Sequence, residues 1–119
     1  MRKSVCIIST CAPYSGQSAR EALDTVMVAA SYEIPASLLL MGDGIFQLLS
    51  QQQPENIPRK NLSALFKALP LYDIDTIYID QMSLEERGIQ KEELLPSVTL
   101  LSKEELPAFI KQHDRILNF

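Results

Sequence analysis

The stretch TIYIDQMSLEERGI, Thr76 to Ile89, decides the fold. Thr76–Ile79 is an apolar, β-rich run without polar alternation, the pattern of a strand buried on both faces in a parallel sheet. Asp80 closes the run. Ser83 to Gly88 reads as one short helical turn: Ser83 stands three residues before Glu86 in a capping-box pattern, and Gly88 supplies the stop. Asp80 is therefore expected just past the carboxyl end of a strand, facing the amino end of a short helix. In open α/β sheets ligands and chemistry gather on that rim. Here the position holds a carboxylate.

Working back toward the amino end, Pro70–Asp73 turns the chain into this strand. A helix is expected from Pro58, which suits a first turn, to Leu69, with Leu62, Leu65, Phe66 and Leu69 as its buried stripe. Gln51–Asn56 is a polar loop. Ile45–Leu49 reads as a short helix with almost no polar face, which something must cover, so Ile45, Phe46, Leu48 and Leu49 are candidate interface residues. Gly42–Gly44 is a tight turn, and Ala36–Met41 a strand. A capping box at Ser18 and Glu21 opens a helix that ends near Tyr32, before Pro35. Its apolar face is Ala19, Ala22, Leu23, Val26, Met27 and Ala30. Val5–Ile8 is the first buried strand, and Ser9–Gln17 a loop broken by Pro13 and Gly16.

Toward the carboxyl end, an acidic linker (Lys91–Glu93) leads to a short strand near Ser97–Leu100. Ser102 and Glu105 form a further capping box before a helix whose apolar face is Leu106, Phe109 and Ile110. Pro107, at the fifth helical position, is expected to delete a backbone bond and loosen the first turn. Arg115–Phe119 is a last strand. This order predicts an α/β protein: a single domain over residues 1–119, with a central, mainly parallel five-stranded sheet and helices on both faces.

The 119 residues suffice for one core, and a hydrophobic content of 46% fits a folded chain. The net charge of −4 is uneven. Residues 1–60 carry five basic and five acidic side chains; residues 61–119 carry six and ten. An acidic half repels phosphate backbones, so direct nucleic-acid binding is not expected. No apolar run approaches the ~18 residues of a membrane span. The amino end is too short and too soon a strand for a signal peptide. Cys6 and Cys11 are too close for a structural disulfide, which favours a reducing, cytoplasmic setting. With the lone His113 they supply too few ligands for zinc, so no metal and no cofactor is expected.

Three positions invite chemistry. Asp80 suits a general base, a metal ligand, or a helix-capping and interface residue. With no second acid in view, the last is the preferred reading. A phosphoacceptor aspartate of the receiver type is excluded, because Ser9-Thr10-Cys11 follows the first strand where further acids are needed. Cys11, in the loop before a helix amino end, is a candidate thiol carrier without a neighbouring histidine base, whereas Cys6 reads as a small core hydrophobe. The Ser9–Ser18 loop also suits an anion, although it lacks the lysine of a phosphate loop. His113 reads as a surface residue at a helix end.

Longer stretches carry more information. Gly42-Asp43-Gly44-Ile45-Phe46-Gln47-Leu48-Leu49, the segment from Phe66-Lys67 to Leu71-Tyr72-Asp73-Ile74, Ser83–Gly88, and the ending Asp114–Phe119 together resemble the TusC/DsrF-like sulfur-relay subunits of the DsrE/DsrF-like family. The likeness covers nearly the whole length. It implies an α/β fold with a central parallel sheet. It also implies association with TusB-like and TusD-like subunits, two copies of each, in a cytoplasmic heterohexamer. Such a complex receives persulfide sulfur from a cysteine desulfurase by way of a small carrier, and passes it toward 2-thiolation of the wobble uridine of certain tRNAs. In the family the sulfur rides on a cysteine of the TusD-like chain, at a strand end before a short helix ending in Arg-Gly. Counted back from Arg87-Gly88, that place falls at about Asp80, and a carboxylate cannot hold a persulfide. The resemblance thus implies a non-catalytic subunit, not an enzyme by itself. The alternative is a thiol or persulfide carrier acting through Cys11, which lies in another loop.

Overall fold

Five strands, Val5–Ser9 (β1), Ala36–Leu40 (β2), Ile77–Asp80 (β3), Val98–Leu101 (β4) and Arg115–Asn118 (β5), form one sheet in the order β4-β3-β2-β1-β5. Every neighbouring pair is parallel, so the sheet is wholly rather than mainly parallel. The computed structural model describes residues 4–10, 18–48, 68–72, 74, 76–90 and 98–119. The helix expected from Pro58 lies outside the described residues except at its end. There Leu69 is buried at the start of a 3₁₀ turn, Leu69–Tyr72.

The strand order explains which face each helix covers. β1 to β4 step outward in one direction, and the chain then crosses back to place β5 beside β1. Crossovers between parallel strands are right-handed, so a reversal of direction moves the connecting helix to the other face. Helix α1 (Ser18–Ser31) lies on the first face, where Leu23 and Val26 pack with Ile7, Leu38, Leu40 and Ile79. Leu84, from the short helix α2 (Gln81–Glu86), joins the same cluster. Helix α3 (Leu106–Lys111) covers the opposite face, where Phe109 packs with Cys6, Ile8, Leu39 and Leu101. The register keeps each set on its own side: Ile7 pairs with Leu38 and Leu38 with Ile77, while Ile8 pairs with Leu39 and Leu39 with Tyr78.

Several local expectations change. β4 runs one residue later than expected, and β2 ends at Leu40. Gly42–Gly44 is not a separate turn but the start of a 3₁₀ segment, Gly42–Leu48, whose Gly44 N–H donates to the Met41 carbonyl at 3.0 Å. Pro107 causes no loss. The helix begins at Leu106, so the ring sits in the first turn, where its missing N–H has no intrahelical partner to lose. The Ser102–Glu105 box forms reciprocally: the Ser102 N–H donates to Glu105 Oε1 at 2.9 Å and the Glu105 N–H to Ser102 Oγ at 3.2 Å. Hydrogen bonding to the carboxylate, first from the Ser102 N–H and then from the Ser102 side chain, holds the Glu105 carboxyl below its ordinary range.

Helices α1 and α2 end in the same way. Past α2, the Ile89 N–H donates to Leu84 O and the Gly88 N–H to Glu85 O. Past α1, the Ile34 N–H donates to Ala29 O and the Glu33 N–H to Ala30 O. Both are Schellman motifs, which need a left-handed residue after the cap. Gly88 takes that conformation at φ 65° and Glu33 at φ 61°. Glycine adopts it freely, whereas a side chain meets the following carbonyl. Gly88→Ala is expected to lower unfolding free energy by about 1 kcal/mol in urea melts.

Candidate functional site

The carboxyl rim brings β3, α2 and the start of the 3₁₀ segment together. Asp80 is the last residue of β3, paired in register with Leu101, and also the N-cap of α2. The helix therefore starts at Gln81, earlier than the capping-box pattern implies, and Ser83 stands inside it. The Ser83 hydroxyl is buried and points back, donating to Asp80 Oδ2 at 2.7 Å and accepting the Gly42 N–H at 2.9 Å. This single side chain ties the strand end to the 3₁₀ segment. Asp80 itself is 8% exposed.

Arg87 fixes the same joint from the other end of α2. Its Nε and Nη2 both donate to Asp43 Oδ1, at 3.1 and 3.0 Å, and its Nη1 donates to the Ser83 carbonyl at 3.1 Å. Below it, the Gln47 amide donates to Ser9 Oγ at 2.8 Å, both residues being fully buried. Gly44 lies so close to β1 that a Cβ there would overlap the Ser9 carbonyl oxygen. Nothing in the pattern of the sequence points to the Ser9–Gln47 pair, since a serine at a strand end and a glutamine in an apolar segment have no spacing signature.

The polar side chains of the rim are partnered within the chain. The Asp80 carboxylate is engaged by a hydroxyl, and Arg87 by Asp43 and a backbone carbonyl. Among the described residues no three of His, Cys, Asp and Glu lie close enough to share a metal ion. Cys6 sits in the middle of β1 under Phe109, and burial pushes its thiol up to about 11, away from the thiolate a nucleophile needs. Cys11 lies outside the described residues. So does most of the loop at the β1–β5 reversal, where open α/β sheets place a ligand crevice. Just before that loop, the Thr10 N–H and hydroxyl both donate to the Phe119 carbonyl, at 3.1 and 3.0 Å, tying the end of β1 to the end of β5.

Two expected residues have different surroundings from those the sequence suggests. Ile45 is fully buried within the chain's own core, so it presents no surface to a partner. Phe46 is partly buried against the same cluster; the Leu48 side chain and Leu49 lie outside the described residues. His113 is not a free surface residue. The Phe109 carbonyl, 3.0 Å from Nδ1, can only accept, which puts a proton on Nδ1 and leaves Nε2 of the neutral ring to accept from Ser37 Oγ at 3.0 Å. The ring clamps the end of α3 to β2, on the edge of the sheet opposite Asp80. A groove of about 660 Å³ opens on that opposite edge, between Ile34, Tyr72 and His113.

The comparisons with known proteins agree with this architecture. A family profile described as the DsrE/DsrF-like family matches residues 3–119. A protein named Protein TusC homolog from Pseudomonas aeruginosa is 37% identical over 117 residues, covering 98% of each chain. A Protein TusC homolog from Vibrio vulnificus is 36% identical over 91% of this chain and 92% of its own. The crystal structure of the ychN protein from E. coli superposes with a TM-score of 0.83 at 23% identity, covering both chains completely, a likeness of fold.

Two outcomes follow from the rim and its neighbour in β1. Ser83→Ala removes a donor from Asp80 and an acceptor from Gly42, and is expected to cost about 2 kcal/mol in urea unfolding; Asp80→Asn, which keeps an acceptor, costs less. The Cys6 thiol binds its proton more tightly folded than unfolded, so its contribution is intact below the ordinary 9.0 and lost as pH rises through about 11. Stability measured from pH 8 to 11 should therefore fall about 2 kcal/mol further in the parent chain than in Cys6→Ala.

Proposed function

The chain belongs to the DsrE/DsrF-like family, and we propose that it is a non-catalytic subunit of a TusBCD-like sulfur relay. In this reading it assembles in the cytoplasm with TusB-like and TusD-like subunits, two copies of each. The complex takes persulfide sulfur from a small carrier and passes it toward 2-thiolation of the tRNA wobble uridine. The observation that carries the reading is Asp80. The strand-end position that would bear a sulfur-carrying cysteine holds a carboxylate, already hydrogen-bonded to Ser83. A carboxylate has no sulfur to extend into a persulfide, and the one cysteine whose surroundings are described, Cys6, is buried. The part left to this chain is to shape and complete an assembly whose thiol is elsewhere.

Partner contact suits the exposed apolar side chains Tyr32 and Leu71, at 75% and 85% exposure. Large apolar groups left this open on a surface mark interaction sites when they cluster. Phe46, Leu48 and Leu49 stay in the proposed contact; Ile45 leaves it.

Co-expression with TusB-like and TusD-like chains is expected to yield an assembly of equal stoichiometry by native mass. A chain that elutes apart from both would overturn the proposal. In the reconstituted relay, Cys11→Ser is expected to leave sulfur transfer unchanged. A loss of about tenfold or more would instead make Cys11 the carrier.

A further inference from the structure

β5 is an edge strand, and all four of its residues are exposed. The Arg115 and Phe119 N–H groups donate inward, to Ser4 and Ile8. Alternation then turns the N–H and C=O groups of Ile116 and Asn118 away from the sheet. Each face of the strand offers one exposed apolar side chain. Ile116 pairs with Cys6 on the α3 face and is 36% exposed; Leu117 pairs with Ile7 on the α1 face and is 42% exposed. The strand holds no proline and no lysine, and its one charge, Arg115, stands at its first position.

We propose that β5 pairs antiparallel with β5 of a second copy of this chain, across a two-fold axis at Leu117. One register satisfies every outward backbone group. Ile116 lies opposite Asn118 of the second copy and exchanges both bonds with it. The symmetry repeats the exchange, so four hydrogen bonds form and no outward group of Ile116 or Asn118 is left over. In the same register Leu117 meets its own counterpart at the closely spaced, non-hydrogen-bonded position. Arg115, the only charge in the strand, falls opposite the neutral Phe119, so like charges do not meet. An axis perpendicular to the sheet keeps the two α1 faces on the same side and joins two five-stranded sheets into one. The pairing needs only this chain and does not rest on the relay reading.

Cysteine pairing reads the register directly. In a Cys11→Ser background, the full chain is made with Leu117→Cys or Asn118→Cys, alone or in whatever assembly it purifies with. It is oxidised mildly and run on a non-reducing denaturing gel. Residues directly opposite at a non-hydrogen-bonded site stand at disulfide distance. The Leu117→Cys chain is expected to form a covalent dimer at least about ten times faster than the Asn118→Cys chain, whose neighbour is Ile116. By sedimentation, the parent chain is expected to dimerise and Leu117→Lys, which sets two ammonium groups face to face, to weaken that dimer at least about tenfold. No cross-link at 117, or equal cross-linking at both positions, overturns the proposal. If Leu117→Lys fails to fold, the two cysteine variants still decide. A cross-link at 117 in a chain that binds neither TusB-like nor TusD-like subunits sinks the relay reading and leaves this one standing.

Discussion

Every connection in this chain joins parallel strands, and so each must cross a face of the sheet in a right-handed sense. That constraint, with one reversal of direction after β4, distributes the rest of the molecule. It puts α1 and α2 over one face and α3 over the other, and gives each face its own apolar set. It also gathers all the strand ends on one rim, where Ser83 can reach from α2 both to Asp80 and to the turn after β2. Were β2 and β3 antiparallel, their ends would fall on opposite edges, and the joint at Asp80 could not form.

The rim shows how side-chain hydrogen bonds lock a strand end to the helix that follows it. The strand end, the short helix and the Arg87-Gly88 stop are all in place. The Arg87 guanidinium and the Ser83 hydroxyl serve the structure: Arg87 holds Asp43, and Ser83 closes on the Asp80 carboxylate. Geometry of this kind fixes where a helix points. It does not by itself supply a nucleophile, and the carboxylate's hydroxyl partner sits at 2.7 Å with little room between for a substrate.

Much of this was legible in the sequence because the signals were periodic. Val5–Ile8 and Thr76–Ile79 lack polar alternation, and only burial on both faces explains that. Leu23, Val26 and Ala30 repeat at helical spacing. What escaped was aperiodic or long-range. Ser83 resembles an N-cap in one dimension, yet Asp80 takes the cap, since the helix begins as soon as the strand ends. Ile45 looked like surface seeking a partner because the sequence could not show that the chain's own core already takes it in. Ser9 and Gln47 meet across 38 positions, and no local pattern encodes such a pair.

The clamp at His113 has a practical consequence. The chain contains a single histidine, and its ring touches three things at once: the last turn of α3, the Ser37 hydroxyl of β2 and, edge-on at 5.0 Å, the Phe109 ring. Its ring resonances are therefore unique in the spectrum, and its hydrogen bond to Ser37 is made only when α3 is seated on the sheet. The molecule carries its own spectroscopic reporter for the docking of its carboxyl-terminal third, and that reporter needs no label.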